Sequence, residues 1–329
     1  MQHYRKVQKT GESSLSLSLP KPWAARFRVR PGTVVSILEQ PDGTLAVSPK
    51  REKSVKSAKF DASGFSSPAE LSRAFIAKYL SGYSVFEFSS EAKLTASTRS
   101  AITSQARRLI GLEVVEESER KVTVQDFFSP DGMSIERGLK RAHSITCLMQ
   151  ESLSSFLREG GKDKLELIAD KDADVDRIRF LLLRQAGNAL QDSSLMSSLG
   201  LAPLDCMQYA DAVTSVERIG DDLVRAAANL SPACRGLDSC AKIAEFNDFA
   251  YSMQVLALKS FFSKSADDAN AVLSLYASMS ASRAALEKAL SESKAPFQLG
   301  MAVDSIALVG NRGKHIAQVA INRALAGIP

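Results

Sequence analysis

The chain contains no apolar run approaching the roughly 20 residues that a membrane-spanning helix requires, and its start, Met1-Gln2-His3-Tyr4-Arg5-Lys6, carries no apolar signal segment. No membrane insertion is therefore expected, and the cytoplasm is the expected location. Only four cysteines occur, Cys147, Cys206, Cys234 and Cys240, without a CxxC or Cys/His spacing that would close a zinc site. A chain of this size needs no disulfide staples, so they are expected as reduced, mostly buried thiols. The three histidines, His3, His143 and His315, stand apart in sequence. There is no P-loop, no GxGxxG after a strand and no nucleophile elbow. With no visible catalytic candidate, the chain is not expected to be an enzyme.

Charge is present but unevenly placed. Residues 1–60 hold twelve Lys and Arg against four Asp and Glu, a net of +8, whereas the other 269 residues hold 30 against 33, a net of −3. In the basic end, Leu15, Leu17 and Leu19 alternate with Ser14, Ser16 and Ser18 in the two-residue period of a strand that Pro20 and Pro22 stop. Trp23 to Val29 suits one or two helical turns, with Trp23 as a hairpin-core anchor, and Arg30-Pro31-Gly32 turns into a strand over 33–38. Asp42-Gly43 is a hairpin turn into Leu45 to Ser48. A four-stranded sheet of about 50 residues buries too little apolar surface to stand alone, which calls for completion by a second copy of the chain.

Residues 51–67, rich in Lys and Ser, are expected as a linker after a first domain over 1–50. Helices at 68–81 and 95–110 then alternate with strands at 83–88, 112–115 and 121–127, a small α/β domain closed by Pro130-Asp131-Gly132. From 134 to 329 strand signals vanish and six long helices are expected, at 134–159, 164–192, 203–230, 239–264, 266–293 and 297–326. Ser215-Val216-Glu217-Arg218-Ile219-Gly220-Asp221 is echoed by Ser305-Ile306-Ala307-Leu308-Val309-Gly310-Asn311, each in a third helix. Two duplicated three-helix units, 134–230 and 239–326, account for the echo.

In the first unit Glu217 and Asp221 lie one turn apart on one helix face, and Asp172 and Asp176 repeat that spacing on the preceding helix. Val175, Ile178 and Leu182 mark the core side of that helix, and Val213, Val216, Leu223 and Leu230 that of the next. If the two helices pack side by side, the four carboxylates converge and need a counter-charge. A hard metal ion would supply it. So would Arg177, Arg179, Arg184 or Arg218, all near in sequence. Gly220, costly within a helix by about 1 kcal/mol, signals close packing between the acids.

Asp172-Ala173-Asp174-Val175-Asp176-Arg177-Ile178 and Glu217-Arg218-Ile219-Gly220-Asp221 resemble the paired acidic signatures of the PhoU family. That resemblance implies an all-α pair of three-helix bundles over 134–329, an iron or zinc cluster on Asp172, Asp176, Glu217 and Asp221, and a role in restraining phosphate uptake. Ala307 and Asn311 depart from the pattern, so the second bundle is expected to be structural or partner-binding. Arg5-Lys6-Val7-Gln8-Lys9-Thr10-Gly11, Leu17 to Trp23 and Val29 to Thr33 resemble the AbrB-like swapped-hairpin family, which implies an intertwined homodimer that places basic residues on DNA. The whole order of modules is similar to that of archaeal phosphate uptake regulators.

Independently of resemblance, Arg5, Lys6, Lys9, Lys21, Arg26, Arg28 and Arg30 make a basic surface suited to phosphate contacts, with Arg5, Lys9 and Arg28 the better candidates. The expected function is a DNA-binding transcriptional regulator of phosphate uptake whose helical domain senses phosphate status. The rivals are an adaptor docking on a phosphate transporter's ATPase or a sensor kinase without specific DNA binding, and a metal-dependent phosphohydrolase.

Overall fold

The computed structural model describes residues 3–39, 43–49, 55–128, 133–233 and 238–326. Asp42, Pro130-Asp131-Gly132 and Cys234 lie outside them. Two compact units divide the chain, residues 1–55 and 56–329.

The first unit carries two antiparallel hairpins, β1 (Gln8–Thr10) with β2 (Ser14–Ser16) and β3 (Val35–Glu39) with β4 (Leu45–Pro49). Helix α1 (Lys21–Arg26) stands between them. The expected strand over 14–19 ends early, at Ser16, since Leu17 to Pro20 gain no partner strand. The helix also opens earlier than expected, at Lys21, with Pro22 in its first turn where a missing N–H costs nothing. Trp23 packs its ring against Phe27, with centroids 5.3 Å apart. No described residue of this unit is fully buried, and Leu15, Leu17, Val34, Ile37 and Leu45 are each more than half exposed. As a single copy the unit therefore has no core.

The second unit opens with a four-stranded sheet in the order β5-β6-β8-β7, made of β5 (Ser57–Asp61), β6 (Val85–Ser89), β7 (Leu112–Glu117) and β8 (Lys121–Asp126). β5 and β6 are parallel, joined through α2 (Pro68–Leu80); the other pairs are antiparallel, with α3 (Ala96–Arg108) between β6 and β7. The expected linker over 51–67 thus contains a strand. β5 is an edge strand whose only inward residues are Ala58 and Phe60, and its polar companions Ser57, Lys59 and Asp61 dominate the local composition. Phe60 stacks on Phe88 at 4.7 Å, and Phe75 of α2 meets Phe86 and Phe88 at 4.8 and 4.9 Å, forming the centre of this layer.

Six long helices follow. The first repeat comprises α4 (Ile135–Glu159), α5 (Lys162–Gln191) and α7 (Pro203–Ala233), with a short α6 (Ser193–Ser198) between the last two. The second comprises α8 (Asp238–Ser263), α9 (Ala266–Glu292) and α10 (Phe297–Leu325). The residues expected on the core stripes of α5 and α7 are buried: Val175, Ile178, Leu182, Val213, Val216, Leu223 and Leu230. The repeats pack through α4 on α8 and α7 on α10. At the first of these contacts a fully buried amide ladder replaces apolar packing. Gln150 donates to Asn247 O and Oδ1 at 3.1 Å, Asn247 donates to Gln150 O at 3.1 Å and Ser154 Oγ at 2.7 Å, and Gln254 donates to Gln150 Oε1. Polar groups this deep must be paired, so the ladder fixes the register of one repeat on the other.

The two echoed glycines occupy matching places. A Cβ on Gly220 would lie 3.0 Å from Asp172 of α5 and 3.7 Å from Met149 of α4, while one on Gly310 would collide with Met279 of α9 and lie 3.5 Å from Met253 of α8. Each third helix approaches the other two of its repeat at its glycine. Met279 therefore stands against Gly310 as Asp172 stands against Gly220. Cys147 and Cys206 are free thiols, but Cys240 is disulfide-bonded, against the expectation of four reduced cysteines. A bridge needs only two sulfurs within reach of each other, a condition that sequence spacing does not announce.

Candidate nucleic-acid surface and acidic face

All seven basic residues expected to contact DNA, Arg5, Lys6, Lys9, Lys21, Arg26, Arg28 and Arg30, are exposed on the first unit. Lys9 lies in β1 and Lys21 and Arg26 in α1. The Arg26 guanidinium lies 4.6 Å from the centre of the Phe27 ring. Arg28 has a φ of +55°, the left-handed conformation that ends α1, where its N–H reaches Ala25 O at 3.1 Å and that of Val29 reaches Ala24 O at 2.8 Å. Glycine takes this place more readily, since a side chain there costs about 1 kcal/mol. An arginine at that corner holds a cation beside the exposed turn Arg30 to Thr33, itself closed by a 2.9 Å bond from Arg30 N to Thr33 Oγ1.

On the helical body, α5 and α7 pack together and bring the expected acids onto one face. Asp172 is half-buried, and its carboxyl is pushed up to about 6, first by desolvation and then by the negative charges of Asp176 and Asp221. Glu217 is raised for the same reasons, burial first, with Arg179 opposing. Two arginines form ion pairs there, and Arg218 acts on Glu217 at longer range. Arg179 lies 3.4 Å from Glu217, as the sequence allowed, and Arg108 reaches Asp176 at 2.9 Å from α3, sixty-eight residues away. Arg184 turns elsewhere, to Asp126. Among the described residues no group of three or more His, Cys, Asp or Glu side chains is disposed to hold a metal ion. With Glu217 and Asp176 engaged by arginines, the carboxylates as they stand fit an iron or zinc cluster poorly.

The desolvation of Asp172 leaves a measurable signature. The folded Asp172 carboxyl holds its proton up to about pH 6, whereas the unfolded one releases it near 3.8. The folded state therefore binds more protons across that window, and Asp172 lowers stability as pH rises through it. In chelator-treated buffer Asp172→Asn is expected to raise the stability at pH 7.5 by about 1 kcal/mol after allowance for solvent screening, with the gain fading toward pH 4. Urea unfolding at the two pH values checks this. Zinc or iron(II) that raises the melting temperature of the wild type but not of the variant would restore the metal reading.

His143 and Cys147 approach at 3.5 Å on α4, an arrangement that could suggest a nucleophilic pair. Burial drives them the wrong way, lowering His143 to about 4 and raising Cys147 to about 11, so both stay neutral and the thiol stays inert.

Comparison with known proteins follows the division of the chain. Residues 8–54 match the family described as antidote-toxin recognition MazE, bacterial antitoxin. The chain is similar in structure to the crystal structure of PhoU from Pseudomonas aeruginosa, with a TM-score of 0.52 and 15% identity over 59% of this chain and 96% of that one. No curated protein matches. The N-terminal unit is thus an AbrB/MazE-like, antitoxin-type module, and the helical body has the PhoU fold. Among the described residues no helix is long and apolar enough to cross a membrane.

Proposed function

We propose that this chain is a dimeric DNA-binding regulator of the phosphate response, in which the first unit grips DNA and the PhoU-like body senses phosphate status. The observation that carries this reading is the fusion of an antitoxin-type module, its seven cations exposed, to a body with the PhoU fold. Two copies would pair the exposed Leu15, Leu17, Val34, Ile37 and Leu45 into a core and double the basic surface. Arg5, Lys9 and Arg28 then act as phosphate clamps that set register, since Arg and Lys contacts to the backbone supply affinity and orientation.

Binding of the full chain to DNA from upstream of phosphate-transport genes, titrated against salt, tests the proposal. The wild type is expected to prefer that DNA over scrambled fragments at physiological salt. The triple variant Arg5→Gln/Lys9→Gln/Arg28→Gln is expected to lower the magnitude of the slope of log K against log salt by about 5 for the dimer, roughly 0.9 for each of the phosphates that its two copies no longer neutralise. Weak binding that is indifferent to sequence in the wild type would favour instead an adaptor on a phosphate transporter's ATPase or a sensor kinase, with the basic end serving only to dimerise.

A further inference from the structure

Between α7 and α10, the third helices of the two repeats, lies a cleft of about 160 Å³ whose lining includes Ser215, Arg218, Asn311, Arg312, Lys314 and His315 and no carboxylate. We propose that this cleft binds a phosphate group, and that it is the effector site of the helical body. The second part rests on the regulator reading above; the first stands without it.

Three permanent cations face the cleft. Arg218 is exposed and makes no ion pair or hydrogen bond with a described residue, its charge acting on the neighbouring Glu217 only at longer range, and Lys314 lies 4.4 Å over the Tyr276 ring, a contact that leaves its charge uncompensated. Arg312 is held by Asp222 at 3.3 Å, but that fully buried carboxylate is shared with Arg225. His315 is braced by Asp211 at 2.8 Å. Ser215, 2% exposed, lines the floor with a hydroxyl that bonds to no described residue, and Asn311 adds an amide.

Guanidinium forks, an ammonium, a hydroxyl and an amide converging on one small space form the donor set of a tetrahedral oxyanion site. The volume is close to the roughly 150 Å³ of a cavity that holds benzene, so a five-atom phosphate fits with room for water or for one ester carbon. The placement also gives occupancy a consequence. Arg218 comes from the first repeat and Arg312 and Lys314 from the second, so one anion ties the repeats together across the junction that α7 and α10 make.

Isothermal titration of the full chain, without DNA and at constant ionic strength, provides the test, using inorganic phosphate in one arm and glycerol 3-phosphate in the other, with chloride as the blank. One saturable site per chain is expected. Arg218→Gln and Lys314→Gln are each expected to weaken it at least ten-fold, while Lys288→Gln, an exposed cation of α9, leaves it unchanged. Arg218 is exposed, so its variant reports on binding even if the Lys314 variant misfolds. Saturation by phosphate alone identifies the free anion, and saturation by the ester alone identifies a phosphorylated metabolite; either supports the site. Absence of saturation in both arms, or unchanged affinity in Arg218→Gln, overturns it. Because no DNA is present, that failure leaves the DNA-binding reading standing, and failure of DNA recognition leaves the anion site standing.

Discussion

Replacement of Arg184 by methionine is expected to lower the stability of the second unit by about 3–5 kcal/mol, enough to drop its melting temperature by roughly 10 °C. Arg184, on α5, meets Asp126, at the end of β8, at 2.6 Å, and both side chains are more than nine-tenths buried. Its guanidinium also lies 4.3 Å from the centre of the Tyr79 ring, whose hydroxyl donates to Ile110 O at 2.9 Å. Asp126 is already raised by desolvation, with Arg184 opposing the rise. Without the arginine, a buried carboxylate loses its cation and keeps only the 2.9 Å bond from Phe128 N. The pair itself has little net worth, because two ions had to leave water to form it. Arg184→Met/Asp126→Leu should therefore recover most of what Arg184→Met loses. Urea unfolding of the two variants checks both figures. A single-variant loss below about 1 kcal/mol, or a double variant as weak as the single one, would show that the pair does not anchor the α/β layer to α5.

That pair also marks the limit of what the sequence discloses. The six long helices were legible because each runs seven turns or so with an apolar stripe, and Val175, Ile178 and Leu182 fall on the buried face where their spacing put them. β5 was not legible: an edge strand with two inward residues, Ala58 and Phe60, leaves a composition that looks like linker. The short helix α6, six residues long, is below the length at which periodicity tells anything.

The acidic face divides along the same line. Asp172, Asp176, Glu217 and Asp221 could be placed together from spacing and the expectation that α5 and α7 pack, and Arg179 was close enough in sequence to be weighed as a partner. Arg108 was not, because it arrives from α3 in a different layer. The amides Gln150, Asn247 and Gln254 and the cleft around Arg218 depend in the same way on helices of different repeats meeting. Local pattern carries secondary structure and the faces of helices; it says nothing about which distant charge lands on which face. Asn311 illustrates this best. In sequence it is a departure from the acidic pattern, but in the structure it sits in a basic cleft beside Arg312.

If the proposed dimer forms on DNA, Ile37→Glu is expected to convert it to a monomer and to weaken DNA binding by at least a hundred-fold. Ile37 lies in β3 opposite Val47, 62% exposed in a unit that buries no described side chain fully. Exposure of that extent on a β-branched strand residue, together with Leu15 at 75% and Leu45 at 64%, describes half of a core. Burying one such side chain contributes about 1.5–3 kcal/mol, and a carboxylate in its place adds the cost of an unpaired charge. In the proposed dimer, two copies that hold one duplex bind with an avidity of about 10² to 10⁴ over one, so loss of the dimer would remove affinity without touching any of the basic residues proposed to face DNA. Light scattering gives the mass and fluorescence anisotropy the affinity. Ile37→Val, which keeps the apolar face, should behave as the wild type in both. A variant that stays dimeric would place the dimer interface elsewhere, and a monomer that binds DNA with full affinity would mean that one copy of the basic surface suffices.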